Sequence, residues 1–174
     1  MNQYKRFELV ELDEFIGYGA AIYSIALDDN EDTLFDQFVA QYATLYPDEV
    51  SAIVNRLDKI ARLGARLEFF RPYEGTRWGA DGLVALFDQP DKHLRLYCIR
   101  FGSTTLVVGG GGPKPKEVDG KKIRAFQEIP KLKDENYLLR AISRQINQAI
   151  KDKDIQFDGN HLAGQLVFGA EEDE

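Results

Sequence analysis

The sequence has little of what a metal or disulfide scaffold needs: one cysteine, one methionine, one tryptophan and two histidines in 174 residues. The lone Cys98 excludes an internal disulfide framework, and no pair of CxxC spacings exists for a zinc ribbon. With only His93 and His161, an all-histidine metal site is excluded as well. No apolar run approaches the ~18 residues of a spanning helix, and the opening MNQYKRFELVELDEF does not read as a signal peptide. The expectation is a cytoplasmic protein with no membrane partner and no metal or other cofactor.

The chain is 44% hydrophobic and 29% charged, close to the globular average, and its length suits one domain over residues 1–174. The net charge of −7 is unevenly spread. From Ser51 to Ala125 there are fourteen basic and eight acidic residues, so that stretch carries +6; the rest holds eight against twenty-one, or −13. A basic centre between acidic ends points to a polyanionic partner, unless the blocks interleave in space and the field averages out.

Phe7–Leu12 and Tyr18–Leu27 are β-branched and aromatic runs broken by Gly17 and Gly19, which reads as a hairpin. Asp28-Asp29-Asn30 supplies a turn or a helix cap, and Leu34, Phe35, Phe38, Val39 and Tyr42 recur at helical spacing over Glu31–Leu45. Pro47 opens a second helix that Leu63-Gly64 stops, which gives a helical hairpin. Leu83–Phe87, Leu94–Phe101 and Thr104–Val108 form an antiparallel meander joined by the turns Asp88–His93 and Gly102-Ser103. In the central run both alternating faces are apolar, so that strand is covered on both sides or meets a ligand on one. Asp134 caps a last helix striped by Leu138, Leu139, Ile142, Ile146 and Ile150, and the short tail from Asp154 ends in a frayed Glu171-Glu-Asp-Glu174. The fold class is therefore α+β: a three-stranded meander and an N-terminal hairpin packed with a helical hairpin and a C-terminal helix.

Two constellations could carry chemistry. Gly109–Gly112 with Pro113-Lys-Pro-Lys116 lacks the GK[ST] and following helix of a P-loop. It reads as a flexible exit from the sheet, or as a loop presenting Lys114 and Lys116 to a phosphodiester backbone. Around it Arg71, Arg77, Lys92, His93, Arg95 and Arg100 interleave with Phe70, Tyr73, Trp78 and Tyr97. Cations that hold phosphates beside rings that stack on unpaired bases are the usual combination for single-stranded RNA. Arg95 and Arg100 lie five apart and face opposite sides of one strand, whereas Arg95 and Tyr97 share a face. Cys98 points into a strand interior, and the pairs Asp28/Asp29 and Asp88/Asp91 sit in turns, where aspartate belongs anyway.

The element order, with LDKIARLGARLEFF, LRLYCIRFG and TLVVGGGGPKPK as its markers, resembles the RelE/HigB-like toxins of bacterial toxin–antitoxin systems over roughly residues 20–116. Arg95 and Tyr97 match that family's second core strand, and Lys114 and Lys116 its terminal lysine pair. The chain departs from the pattern at Phe87-Asp88, where the family carries an arginine, and it adds an N-terminal hairpin and a C-terminal helix. The resemblance implies a toxin that cleaves mRNA, with the ribosome and an antitoxin protein as partners. In metal-free cleavage Arg95 and Lys114 would stabilise the phosphate, His93 would be the acid or base, and Tyr97, Arg71, Arg77, Arg100 and Lys116 would bind RNA. The competing expectation is a non-catalytic module that holds a partner protein's helix on the same sheet, or a phage or mobile-element accessory protein; the departure at Phe87-Asp88 and the acidic balance favour it.

Overall fold

The computed structural model describes residues 4–71, 82–86, 93–115, 117–123, 127 and 129–169. Arg77, Lys116, Lys92 and the turn of residues 88–92 lie outside them, as do the aromatic residues Tyr73 and Trp78. Strand β1 (Arg6–Glu11) buries Phe7 and Leu9 and turns Glu8 between them outward, the alternation of a half-covered strand. It pairs antiparallel with β2 (Ala21–Leu27), as the sequence predicts, although nine residues separate them. Asp28, at φ +51°, closes the far end, its carboxylate accepting from the backbone N–H groups of Lys5 and Arg6 at 2.8 and 3.2 Å.

Helix α1 (Leu34–Tyr42) is shorter than the apolar spacing predicts, because Thr33 supplies a complete capping box: its hydroxyl accepts from the Asp36 N–H and the Asp36 carboxylate accepts from its own N–H. Helix α2 (Pro47–Leu63) starts at the proline and ends where Gly64 adopts φ +104°, both as expected. After β3 (Phe70–Arg71) come β4 (Leu83–Leu86), β5 (Leu94–Phe101) and β6 (Thr105–Pro113), the antiparallel meander. A two-residue ribbon, β7 (Glu117–Val118) with β8 (Lys121–Lys122), leads to α3 (Pro130–Lys151). That helix begins at Pro130, four residues ahead of the expected Asp134 cap, with proline at its first position.

The frayed end expected at residues 171–174 lies outside the described residues. Ile155–Asp158 (β9) and His161–Gly164 (β10) form a hairpin, and β11 (Val167–Gly169) pairs with β1, stacking Phe168 on Phe7 with ring centres 4.6 Å apart. One seven-stranded sheet results, in the order β11-β1-β2-β6-β5-β4-β3. Every neighbouring pair is antiparallel except β2–β6, which run parallel from Ala21↔Thr105 to Ser24↔Val108. The α1–α2 hairpin lies within this crossover and covers one face through Phe35, Phe38, Val50, Leu57 and Ile60. Helix α3 and the β9–β10 hairpin cover the other through Leu132, Leu139, Ile142, Ile146 and Ile155.

Strand β5 is therefore covered on both sides: Leu94, Leu96 and Cys98 pack toward α1–α2, Tyr97 and Ile99 toward α3. Cys98 is fully buried, and burial pushes its thiol far above the ordinary range. The native protein should resist iodoacetamide, with alkylation appearing only as denaturant unfolds it; ready labelling in buffer would contradict this packing.

The glycine run corrects the sequence reading most sharply. Gly109–Gly112 belong to β6 and are buried, not a flexible loop. A Cβ on Gly111 would overlap the Arg95 carbonyl oxygen, one on Gly110 the Glu135 carboxylate, and one on Gly109 would crowd the Leu139 side chain. Where β5 and β6 shift register between Leu96 and Cys98, the bare backbone lets the neighbouring strand and α3 come close. Among the described residues no helix is long and apolar enough to cross a membrane.

Candidate functional site

His93 stands one residue ahead of β5, exposed, where the start of α2 meets the end of the sheet. Glu49, the third residue of α2, reaches it. The Glu49 carboxylate accepts from the backbone N–H groups of His93 and Leu94 at 2.5 and 3.0 Å and lies 3.2 Å from His93 Nδ1. A glutamate at this position commonly turns back to cap its own helix. Here the residue before the helix is Tyr46, whose side chain makes no cap, and the carboxylate is spent on the strand instead.

Burial alone would raise the Glu49 carboxyl, but the N–H of Leu94 and then the N–H and imidazole of His93 outweigh it and hold it below the usual carboxylate value. A carboxylate can only accept, so it selects the imidazole tautomer with the proton on Nδ1 and leaves the lone pair on Nε2. The Tyr46 ring lies 5.7 Å from the imidazole, centre to centre. Lys114 follows β6, and its backbone N–H donates to the His93 carbonyl at 2.7 Å, so the two residues are neighbours.

A carboxyl whose value is depressed on folding contributes stability that is present above its unfolded value and is lost as pH falls through the folded one. Urea midpoints should therefore decline between about pH 5 and pH 3, and Glu49→Gln should flatten part of that decline. An unchanged acid limb in the variant would show that the Glu49 contacts do not form in solution.

The other residues singled out from the sequence are dispersed. Arg95 is 2% exposed, in the interior on the face of β5 that Tyr97 shares, and its Nε and Nη2 have no hydrogen-bond partner among the described residues. Tyr97 is fully buried, so its ring has no face open to a base. Arg100, at the far end of β5, donates from Nε to the Ala65 carbonyl at 2.6 Å; partial burial lowers its pKa. At ~3.3 Å per strand residue, His93 and Arg100 stand roughly 20 Å apart, too far to serve one phosphate. Arg71 is exposed on the edge strand β3, two strands from β5. His161 pairs through Nδ1 with Glu11 at 2.5 Å, beside the β10 turn.

Away from the dyad, between α1 and α3, lies a small cleft with no signature in the sequence. After Ser24↔Val108, β2 parts from β6 and α1 enters the fork, where the Ser24 hydroxyl donates to the Val108 carbonyl at 2.7 Å and accepts from the Phe35 N–H at 3.2 Å. The glycines of β6 put no side chains there. The cleft is lined by Leu34, Gln37, Phe38 and Gln41 of α1, Gly110 and Gly111 of β6, and Lys131 and Glu135 of α3. A row of rings joins it to the dyad: Phe38–Tyr42, Tyr42–Tyr46 and Tyr46–His93, with centres 5.3, 6.4 and 5.7 Å apart.

In comparison with known proteins, no family model, no curated protein and no solved structure matches the chain.

Proposed function

We propose that the chain is an RNA-cleaving toxin of the toxin–antitoxin kind, cutting mRNA in the cytoplasm without a metal and using His93 as its acid–base group. The observation that carries this reading is the exposed His93 imidazole held through Nδ1 by the Glu49 carboxylate, with Lys114 beside it. A carboxylate-held imidazole is a standard general base, worth about 10²–10⁴ in rate.

In the proposed step Nε2 of His93 takes the proton of a ribose 2′-OH. The 2′-oxygen bonds to the adjacent phosphorus as the P–O5′ bond breaks, and the departing 5′-oxygen takes a proton from the imidazolium, directly or through a water that the imidazolium reprotonates. The products are a 2′,3′-cyclic phosphate and a 5′-hydroxyl, and His93 is neutral again. The Lys114 ammonium stabilises the charge that builds on the phosphoryl oxygens. Arg95 and Tyr97 have no part in this scheme as contacts to RNA, since both are enclosed. An antitoxin protein would act by covering the dyad.

The reading as a non-catalytic module placed a partner helix on the sheet, and here α3 and α1–α2 occupy its two faces. Induced expression in a bacterial host, scored for growth arrest and for new RNA 5′-ends, tests the proposal. Arrest with new ends supports it. Normal growth with intact mRNA overturns it and leaves a binding role on an outer surface.

A further inference from the structure

We infer that the outer face of α3 is a track for single-stranded RNA that leads away from the His93 dyad; the track has its own observations, and only its connection to a cut rests on the ribonuclease reading. At ~3.6 residues per turn, Lys133, Tyr137, Arg140, Arg144 and Lys151 fall within an arc of about 60°, opposite the buried Leu138, Ile142 and Ile146. Lys133, Tyr137, Arg144 and Lys151 are exposed, and Arg140 is half-buried. Asp134 and the cap residue Asp152 stand about 100° round from Lys133, and Glu135 is buried. Residues 130–151 hold five basic and two acidic side chains, or +3, whereas the rest of the chain, with 17 against 27, carries −10.

A solvated helix face ordinarily mixes its signs, because opposite charges four apart support the helix and like charges weaken it. Here Arg140 and Arg144 are four apart and of one sign, an arrangement that an anionic partner relieves. Lys133 Nζ and the Arg140 guanidinium stand 5.8 and 5.4 Å from the centre of the Tyr137 ring, so the one aromatic group of the face lies among cations. Cations for the phosphates with a ring for a base are what single-strand sites combine. A helix lying on a membrane turns its apolar residues to the lipid, and those of α3 are turned into the core. An acidic peptide would use the cations and leave the ring idle, as would a duplex with its bases paired.

The face also has the length and the position for a strand. From Lys133 to Lys151 the helix rises roughly 27 Å, the length of about eight stacked nucleotides. Its N-terminal end lies near the dyad: a Cβ on Gly112 would stand 3.2 Å from Lys131 Cγ, and Lys114 follows two residues after that glycine.

The test is fluorescence anisotropy of the full chain with a labelled oligouridine of about twelve residues, 2′-O-methylated so that it cannot be cut. The chain should bind it, with log K falling against log salt at a slope of roughly −3, as four phosphate contacts require. Lys133→Gln with Arg144→Gln, both at exposed positions, should weaken binding roughly tenfold in low salt and reduce the slope to about half. Tyr137→Ala should weaken binding about fivefold or more at an unchanged slope, which a merely electrostatic face would not show. No binding by the full chain, unchanged binding in the variants, or equal binding of polyglutamate or of phosphatidylglycerol vesicles overturns the inference.

Cleavage of an unmodified strand separates this claim from the one beneath it. The α3 variants should raise KM and leave kcat, while His93→Ala should bind normally and fail to cut. Binding through α3 with no cleavage by the wild type supports the track and ends the ribonuclease reading. Cleavage at an unchanged KM in the α3 variants ends the track alone.

Discussion

Replacing Gly111 by alanine should destabilise the protein by about 3 kcal/mol or more, a large loss for a single methyl group. The added Cβ would overlap the backbone carbonyl of Arg95 on the adjacent strand, and a paired backbone cannot move aside as a flexible side chain can. Relief would have to come from separating β5 and β6 at Arg95↔Gly112 and Leu96↔Gly111, which also pulls β6 from α3. Gly102→Ala is the control. Gly102 sits at φ +61° with nothing within 4 Å of its missing Cβ, so it should cost only the left-handed penalty of about 1–2 kcal/mol. Urea denaturation of both variants decides the matter. Equal, small shifts would mean that the glycines do not run as a packed strand.

His93→Ala should lower RNA cleavage about 10²- to 10⁴-fold while leaving the melting temperature nearly unchanged, because the imidazole is 54% exposed and packs little. Glu49→Gln should lower cleavage less, about 10- to 100-fold, since it loosens the orientation of the imidazole without removing it. It should also weaken the fold, because the carboxylate ties α2 to the start of β5 through two backbone N–H groups. Separate rate and melting measurements distinguish the two roles. Full activity in His93→Ala would remove the acid–base assignment.

Much of the architecture was legible because local signals and packing agree. Pro47 and Gly64 bound α2 in sequence and in structure, and the two apolar faces of Leu94–Phe101 pointed to a strand covered on both sides or meeting a ligand on one, of which the first is found. The glycine run misled for a physical reason. Glycine is read as freedom when its neighbours are unknown, and only the approach of Arg95, Glu135 and Leu139 shows that the missing side chains make room. The C-terminal strands were missed because β11 has three residues and gains its order from pairing with β1, more than 150 positions away in the chain.

The site divides in the same way. His93 and Lys114 could be named because titration and charge belong to residue types. Glu49 looked like an ordinary first-turn acid, and nothing local says that it serves a strand 44 residues on. Arg95 and Tyr97 were placed on one face correctly, but alternation gives a face and not what covers it. Helix α3 covers that one. The cleft residues Lys131 and Glu135 gave no signal, since an i, i+4 pair on a helix is normally a solvated contact.

The most direct test of the central claim is to map RNA ends that carry a 5′-hydroxyl in cells expressing the wild-type chain and, in parallel, His93→Ala. New 5′-hydroxyl ends are expected with the wild type, and they should disappear in the variant at equal protein level. New ends bearing 5′-phosphate, or the same ends from both proteins, would contradict it.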